Sequence, residues 1–427
     1  MSGPSTGPTT LAGWLAHLEA RNVTAIVLGL DRVRSVAARL DLAPSFPLIS
    51  VAGTNGKGSV CAYLEAILIA AGYRVGCYTS PHLLRYSERI RIDGTEALDA
   101  DLCRAFAAVE AARGEIPLTY FEQGTLAAMW LFREAGIDVA VLEVGLGGRL
   151  DAVNVWAADC AVVSSVDLDH QAFLGETREE IGFEKAGIYR GGRPAICGEP
   201  SPPASLLDHA AAIGADLLRL GPDIRLEKAE ATWTCRVREA VFTALPRPAM
   251  PGEHQFGNAA CAIAALHALR ERLPVPMQAI RAGLAAARQP GRFQVIGHAP
   301  RRILDVAHNP HAARALAANL ANLPPTGTIH AVFAILADKD VDGVIAPLIP
   351  HIAFWHVAGL AGPRGLAGAA LGQRLAARGR DHQVHPDVAA AWAAACRLAG
   401  PADTIVAFGS FHTVAEVMAL SMTNPHG

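Results

Sequence analysis

Short apolar runs alternate with amphipathic segments along most of the chain. The runs 48–52, 138–143 and 160–165 are apolar at nearly every position, which is typical of strands buried on both faces of a parallel sheet. Segments between such runs, including 100–113 and 178–187, carry apolar residues at helical spacing. The pattern therefore predicts an α/β fold in which helices cover both faces of a mainly parallel sheet.

The same alternation starts again beyond Pro290–Gly291. We therefore expect two domains, residues 1–290 with a mainly parallel sheet and residues 291–427 as a smaller Rossmann-like α/β domain. The strands expected in the second domain are 302–306, 328–335, 354–357 and 404–408.

Charge and composition exclude several classes of function. The chain has 37 Lys and Arg against 40 Asp and Glu, so it lacks the basic excess typical of proteins that bind nucleic acid or membrane surfaces. Its apolar runs are too short to span a bilayer, and residues 1–10 lack a signal-peptide pattern. The eight cysteines include no Cys-x-x-Cys pair. We expect a reduced, cytoplasmic enzyme with no nucleic-acid or membrane partner.

The clearest chemical signal is the stretch 50–59, SVAGTNGKGS, which joins a buried strand to an apolar helix. Its glycines allow backbone N–H groups to surround phosphate oxygens at a helix N-terminus, Lys57 can neutralise β- and γ-phosphate charge, and Ser59 can reach the same oxygens or Mg²⁺. Val51 replaces the first glycine of the strict Walker spacing. The alternative is a strand–helix turn without a ligand. We predict a nucleotide-binding P-loop formed by Thr54, Asn55, Gly56, Lys57, Gly58 and Ser59.

Glu143 stands at the carboxyl end of the strand 138–143. Open α/β sheets bind ligands at this edge, and a buried carboxylate is costly unless it is paired or metal-bound. We predict a metal ligand. The alternative is a structural ion pair between Glu143 and Arg149.

Two further polar residues follow elements that lead to the same edge of the sheet. His170 comes after the strand 160–165, and Lys185 lies near the end of the helix 178–187. Taken alone, a histidine beside two aspartates is typical of a hydrogen-bonded structural residue, and such a lysine is typical of a solvated charge at a helix end. Neither residue by itself predicts a function.

Taken together, these and other segments resemble the folylpolyglutamate synthase/dihydrofolate synthase family of the Mur-ligase superfamily. The segments occur in family order along the whole chain. Within the family, TYFEQGTLAA and GRLDA are similar to bacterial bifunctional enzymes that also accept dihydropteroate. The matching segments are VAGTNGKGS (51–59), YTSPHLLRYSERIRIDG (78–94), LTYFEQGTLAA (118–128), LEVGLGGRLDAVN (142–154), LDHQAFLG (168–175), EKAGI (184–188), PGRFQ (290–294), LDVAHNPHAA (304–313), ADKD (337–340) and FGSFHTV (408–414).

The resemblance implies an ATP- and Mg²⁺-dependent ligase that joins L-glutamate to dihydropteroate, and to the γ-carboxylate of reduced folates, through an acyl phosphate. Its partners would be these small molecules, and we expect a monomer. Two alternatives within the superfamily are a folylpolyglutamate synthase only and a Mur-type peptide ligase, which normally carries an extra N-terminal domain. A P-loop switch ATPase is a third alternative, but it leaves the second domain unexplained.

The resemblance also implies roles for individual residues. Lys185 would be carbamoylated, which turns a cation into an anionic oxygen ligand of the kind that Mg²⁺ prefers. Two departures from the family pattern, Phe183 and Gln171–Ala172, could alter substrate orientation. The implied ligands of two Mg²⁺ ions are Ser80, Glu143, His170 and Lys185. Further ATP contacts are Asn258, Arg292 and Asp305, of which Asp305 has the alternative of capping the next helix. The implied catalytic residues are Lys57, Lys185, His170, Arg292 and His308. The substrate-binding residues are Arg89, Thr119, Tyr120, Phe121, Glu122, Leu150, Asp151, Ala152, His308 and Ser410.

Overall fold

The apolar runs near the start of the chain form the centre of an eight-stranded sheet in the computed structural model, which describes residues 7–21, 27–324 and 327–423. Its strands lie in the order β4-β3-β2-β5-β1-β6-β7-β8, and only β3 and β4, at one edge, run antiparallel to their neighbours. The strands are β1 (Leu48–Ala52), β2 (Val75–Tyr78), β3 (Ile90–Ile92), β4 (Thr95–Glu96), β5 (Val139–Glu143), β6 (Cys160–Val163), β7 (Pro194–Cys197) and β8 (Asp216–Arg219). The predicted mainly parallel sheet is confirmed.

A small antiparallel sheet and a second α/β sheet follow along the chain. The small sheet has the order β11-β10-β9, and the second α/β sheet has the order β12-β13-β17-β14-β15-β16, in which only β12 is antiparallel to its neighbour. Their strands are β9 (Ile224–Lys228), β10 (Thr232–Val237), β11 (Ala240–Pro246), β12 (Gln294–His298), β13 (Arg301–Leu304), β14 (Ile329–Phe333), β15 (Phe354–Ala358), β16 (His382–His385) and β17 (Thr404–Phe408). The expected Rossmann-like alternation is confirmed.

Contacts divide the chain into two units. The first comprises Met1–Ala249 and Phe256–Arg288, and the second comprises Met250–Gln255 and Gln289–Gly427. In the first unit, one face of the sheet packs with the N-terminal helices and with the helices that follow β4 in a single apolar core, which includes Leu48, Leu142 and Phe106. The second unit has a core of its own.

Helices connect most of the strands. None of the helices in the described part of the chain is both long and apolar enough to cross a membrane. The helices are α1 (Leu11–Arg21), α2 (Asp31–Arg39), α3 (Lys57–Ala70), α4 (Asp99–Arg113), α5 (Tyr120–Ala135), α6 (Gln171–Leu174), α7 (Arg178–Ala186), α8 (Ala204–Ala212), α9 (His254–Ala268), α10 (Met277–Ala286), α11 (Pro310–Ala321), α12 (Val341–Ile345), α13 (Gly368–Ala376), α14 (Val388–Leu398) and α15 (Phe411–Thr423), with 3-10 turns at Tyr86–Arg89, Ala152–Val155 and Ala346–Leu348.

Helix α5 begins earlier than the apolar pattern suggests. The helical spacing predicts a start near Gly124, but the helix starts at Tyr120 because Thr119 and Glu122 form a capping box. The Thr119 hydroxyl accepts a hydrogen bond from Glu122 N at 3.2 Å, and the Glu122 carboxylate accepts one from Thr119 N at 2.7 Å. This cap places Tyr120 and Phe121 in the first turn of the helix.

Three histidines lie side by side on neighbouring strands of the second unit. His356 on β15 is fully buried, its Nδ1 lies 3.2 Å from His385 Nε2, and its ring stacks on His330 with centroids 5.8 Å apart. Burial, together with the charges that His385 and His330 would carry, lowers the pKa of His356 to about 4. The neutral form of His356 is therefore the form that this core accommodates.

The second unit should lose stability in mild acid because His356 resists protonation when folded. The unfolded chain takes up this proton below about pH 6.5 and the folded chain only near pH 4, so stability falls as pH drops through that window, by up to about 1.4 kcal/mol per pH unit. Melting temperatures at pH 7 and pH 5 should therefore differ less in His356→Leu than in the wild type. The exposed His298 provides a control, since His298→Gln should retain the full difference. An equal acid sensitivity in His356→Leu would contradict the assignment.

Candidate functional site

The stretch between β1 and α3 forms a tight loop at the carboxyl edge of the first sheet. Gly53 and Gly56 have φ values of 150° and 84°, which L residues with side chains rarely adopt. The Lys57 ammonium folds back over the loop and donates to Gly53 O at 3.0 Å and to Thr54 O at 3.4 Å. The loop therefore presents a lysine and a helix N-terminus at one point, as the sequence predicts for a phosphate site.

The loop is braced by the residues that follow β6, the neighbouring strand. Thr54 N donates to Ser165 O at 2.9 Å, and Asn55 N donates to Ser165 Oγ at 2.9 Å. Asp167 N donates to Thr54 Oγ1 at 3.0 Å. A Cβ atom at Gly53 would overlap Ser164 Oγ, so only glycine fits there. Sequence reasoning gave these serines no role, although two serines at the end of the strand beside the loop were a usable signal.

Asn258 lies directly against the phosphate loop. A Cβ atom at Gly56 would come within 2.6 Å of Asn258 Oδ1, so the absence of a side chain at Gly56 makes room for this amide. Asn258 belongs to the first turns of α9 and is largely buried. The structure thus brings the predicted ATP contact Asn258 to the loop.

Glu143 and Ser80 meet at the same edge. Glu143 ends β5, pairs in register with Val51 of β1 and is only 4% exposed. Ser80 N donates to Glu143 Oε2 at 3.1 Å. The Arg149 guanidinium, which was the alternative partner of Glu143, pairs with the Glu184 carboxylate at 2.7 Å. Two of the predicted metal ligands are therefore neighbours.

Lys185 is a buried amine near this edge. It is 3% exposed, and burial together with the charge of Lys57 lowers its pKa to about 7, against the opposite influence of Asp169 and Asp151. The neutral amine of Lys185 is therefore far more accessible near neutral pH than that of an ordinary lysine. Its neighbour in sequence, Glu184, is engaged by Arg149. Lys185 is thus not the solvated helix-end charge that a lone lysine would suggest.

His170 follows β6 in a left-handed backbone conformation, with φ of 52°. Its Nε2 lies 3.9 Å from Asp169 Oδ1, and its side chain is 36% exposed. Within the described residues, no group of three or more His, Cys, Asp or Glu side chains is arranged to hold a metal ion. The predicted ligand set does not require one, since only Glu143 and His170 belong to those residue types and the others are a serine hydroxyl and a lysine.

Aromatic rings form a wall around the first turn of α5. The rings of Tyr78 and Phe121 lie 5.8 Å apart, and those of Tyr86 and Tyr120 lie 5.9 Å apart in an edge-on arrangement. The Arg89 guanidinium stands 5.3 Å from the Tyr86 ring and 5.7 Å from the Tyr120 ring. The wall thus offers flat apolar surfaces beside one fork-shaped cation.

The loop after β5 lies against this wall. A Cβ atom at Gly145 would come within 2.6 Å of the Phe121 ring, so the two surfaces touch. Asp151 is 3% exposed and accepts hydrogen bonds from Leu146 N at 2.9 Å and Val153 N at 3.0 Å. Burial raises the pKa of Asp151 to about 7, although backbone N–H groups favour its charged form. The predicted residues Leu150, Asp151 and Ala152 therefore lie in a loop that contacts α5.

Thr119 and Glu122 have roles inside the protein. Besides capping α5, the Glu122 carboxylate accepts from the Arg32 guanidinium, with Nη2 to Oε1 at 2.7 Å, and its side chain is only 4% exposed. The structure therefore uses Glu122 to support Tyr120 and Phe121, and direct contact between Glu122 and a substrate stays a prediction. Sequence reasoning missed Arg32, which belongs to no segment singled out above.

In the second unit, the loops after β13 and β17 and the segment before β12 contain another group of predicted residues. These strands are parallel neighbours, so their carboxyl ends meet. The Arg292 guanidinium lies 5.6 Å from the Phe411 ring, and the His308 ring lies 6.0 Å from it. The buried Ser410 hydroxyl accepts from Thr413 N at 3.0 Å. Arg292, His308 and Ser410 are therefore close in space within this unit.

Asp305 lies in the same group. Its carboxylate accepts from Phe293 N at 2.9 Å and Ala307 N at 2.8 Å. Burial raises the pKa of Asp305, while the positive charge of Arg292 and the hydrogen bonds from backbone N–H groups lower it. The alternative role of Asp305 as the cap of α11 is wrong, because Asn309 caps that helix by accepting from Ala312 N at 2.9 Å.

Comparison with known proteins identifies the family of the chain. Residues 51–266 match the Mur ligase middle domain, and residues 291–411 match the Mur ligase glutamate ligase domain. The chain is 48% identical over 409 residues to the dihydrofolate synthase/folylpolyglutamate synthase of Escherichia coli (strain K12), which covers 96% of this chain and 94% of that protein. The corresponding Haemophilus influenzae protein is 41% identical over 431 residues, covering 96% of this chain and 97% of that one.

Solved structures extend the likeness to three dimensions. E. coli FolC in complex with DHPP and ADP aligns with a TM-score of 0.94 and 46% identity, over 99% of this chain and 100% of that one. The Yersinia pestis bifunctional folylpolyglutamate synthase/dihydrofolate synthase complexed with AMPPNP and Mn ion aligns with a TM-score of 0.91 and 48% identity, over 99% and 100% of the two chains. The chain therefore belongs to the Mur ligase family and, within it, to the dihydrofolate synthase/folylpolyglutamate synthases.

Proposed function

We propose that the protein is an ATP- and Mg²⁺-dependent ligase that joins L-glutamate to dihydropteroate, giving dihydrofolate, and to the γ-carboxylate of reduced folates. The observation that carries this proposal is the carboxyl edge of the first sheet, where the phosphate loop, Glu143 and the buried Lys185 amine lie beside an aromatic wall. The likeness to bifunctional enzymes crystallised with ADP and DHPP, or with AMPPNP and L-glutamate, supports the same substrates.

The proposed reaction has two steps, phosphoryl transfer and amide formation. A carboxylate oxygen of the acceptor attacks the γ-phosphorus of ATP, and the bond from that phosphorus to the β,γ-bridging oxygen breaks. The products of this step are ADP and an acyl phosphate. The glutamate nitrogen then attacks the acyl carbon, the carbon–oxygen bond to phosphate breaks, and the amide forms with loss of the amine proton. We assign Lys57 to the charge on the β- and γ-phosphates and Arg292 to the transferring phosphoryl group. We assign His308 to placing the glutamate or the acyl phosphate.

Mg²⁺ fits the donors at this edge. The Ser80 hydroxyl, the Glu143 carboxylate and the His170 imidazole would hold it, and carboxylate and hydroxyl oxygens suit this hard cation. When bound, Mg²⁺ neutralises phosphate charge. We propose two ions, with a carbamate on Lys185 as a further anionic ligand.

The lowered pKa of Lys185 supports the proposed carbamate. Its pKa of about 7 supplies the neutral amine that can attack carbon dioxide, forming an N–C bond and releasing a proton. The product is an anion, so the repulsion between Lys185 and Lys57 becomes an attraction. A carbamate on Lys185 would thus remove the repulsion between the buried Lys185 ammonium and the half-buried Lys57.

We place the acceptor along the aromatic wall. The rings of Tyr120 and Phe121 offer stacking surfaces for a pterin and its attached aromatic ring, and Asp151, with its pKa near 7, offers a buried carboxyl group in the adjoining loop. Arg89 supplies a fork-shaped cation for a substrate carboxylate. Leu150 and Ala152 adjoin Asp151, and we assign Ser410 to the glutamate or the acyl phosphate.

We assign ATP and pterin binding to residues 1–290 and the glutamate-ligase part to residues 291–427. The two family matches, which divide the chain near the same place, support this assignment. We further propose a cytoplasmic monomer with no nucleic-acid or membrane partner, in line with the formal net charge of -3.

Product release tests the function directly. ADP formation by the purified protein should require Mg²⁺, L-glutamate and either dihydropteroate or a reduced folate, with turnover on both acceptors. Turnover on reduced folates but not on dihydropteroate would show that the protein is a folylpolyglutamate synthase without dihydrofolate synthase activity. ADP release with neither acceptor nor glutamate present would contradict the ligase proposal and favour a switch ATPase.

The carbamate predicts chemical rescue at Lys185. Lys185→Ala should lose at least about a hundredfold in kcat, and acetate should restore part of it because a small carboxylate fits the vacated space. Lys57→Ala is the matched control, since it should be as inactive but not be rescued by acetate. In carbon-13 bicarbonate, the wild type should show a carbamate resonance that Lys185→Ala lacks. A protein that is active without that resonance would contradict the carbamate.

A further inference from the structure

Arg32 on α2 holds a carboxylate that is buried in another helix. Its Nε lies 3.1 Å and 3.2 Å from the two carboxylate oxygens of Glu122, and its Nη2 lies 2.7 Å from Oε1. The Glu122 side chain is 4% exposed and that of Arg32 is 25% exposed. This is a two-pronged ion pair in a mostly dry setting, in which the loss of one partner leaves a buried charge without compensation.

The stretch 27–32 also reaches the other side of the proposed acceptor pocket. Arg32 Nη2 donates to Val27 O at 2.8 Å, which closes the stretch on itself. Gly29 N donates to Leu150 O at 3.2 Å, immediately before Asp151. One short piece of chain is therefore bonded both to the first turn of α5 and to the loop 150–152.

Glu122 links the ion pair with Arg32 to the position of the aromatic wall. It is the third residue of α5 and the partner of Thr119 in the capping box, so its position fixes where the helix begins. Tyr120 and Phe121 fill the two positions before it, and Phe121 packs against Gly145. A shift of Glu122 would therefore displace both rings relative to the loop 150–152.

We propose that Arg32 is a positioning residue for the acceptor pocket. It touches no proposed substrate, and it sets the spacing between the ring wall of α5 and the loop 150–152 through Glu122 and the stretch 27–32. The inference rests on the proposed function and adds to it a determinant of affinity for acceptors that carry a pterin. ATP and phosphate binding are assigned to the β1–α3 loop, which is held by Ser165 and Asp167 and by the bond from Lys57 to Gly53.

Steady-state kinetics on the full-length protein test the role. Arg32→Met should raise KM for dihydropteroate by about tenfold or more, because small displacements of a binding surface are costly, while KM for ATP stays within about twofold. Arg32→Lys keeps the charge but not the fork, so it should recover part of the affinity. Arg34→Met is the matched control. Arg34 is on the same helix, its side chain is 59% exposed and it pairs with the exposed Asp31, so the kinetics of this variant should equal those of the wild type.

A double-variant cycle separates positioning from direct contact. If Arg32 acts through Glu122, Arg32→Met combined with Glu122→Gln should raise KM for dihydropteroate no more than the worse single variant. The proposal would be overturned if the two substitutions raised KM for dihydropteroate by the product of their separate effects. It would also be overturned if KM were unchanged in Arg32→Met, or if KM rose equally for the acceptor and for ATP. Should Arg32→Met fail to fold, the same comparison is made with Arg32→Lys. A wild type that is inactive on pterin acceptors would refute the proposed function, whereas an active wild type with unaltered Arg32 variants would refute only this inference.

Discussion

The repulsion between two lysines, the buried Lys185 and the half-buried Lys57, is the constraint on which the rest of the candidate site depends. Lys57 is tied to the phosphate loop by its bonds to Gly53 and Thr54, and Lys185 is almost fully buried and is affected by its charge. A buried cation beside a second cation costs free energy unless anions bind nearby or the buried group loses its proton. Glu143, Asp151 and Asp169 supply carboxylates, ATP would supply phosphates, and a carbamate on Lys185 would convert one of the cations into an anion.

The charged groups of the candidate site are held in place by backbone hydrogen bonds. The phosphate loop is bonded to the residues after β6, and Glu143 is fixed by pairing between β5 and β1. Parallel neighbouring strands bring their carboxyl ends to one edge, so residues far apart in sequence meet there. The second unit repeats the principle, since Asp305 and Ser410 follow the adjacent strands β13 and β17.

The sequence predicted what depends on local pattern. Continuous apolar runs identified β1, β5 and β6, and the glycines with Lys57 identified the phosphate loop, because both signals lie within a few neighbouring residues. Edge elements were missed: β16 reads His-Gln-Val-His, and β3 and β4 have three and two residues. The early start of α5 was readable in the spacing of Thr119 and Glu122, which is that of a capping box. The burial of the Glu122 carboxylate could not be predicted from the sequence, because it depends on an ion pair with Arg32, 90 residues earlier.

The roles proposed for the residues at this edge of the sheet all depend on transfer of a phosphoryl group to the acceptor carboxylate before the amide forms. An acceptor labelled with oxygen-18 in its carboxylate tests this most directly, because the labelled oxygen that bonds to phosphorus leaves with the phosphate in the second step. Mass spectrometry of the released inorganic phosphate should show one labelled oxygen for each amide formed. Phosphate that carries no label, produced in step with the amide, would contradict the acyl phosphate and with it the roles assigned to this edge of the sheet.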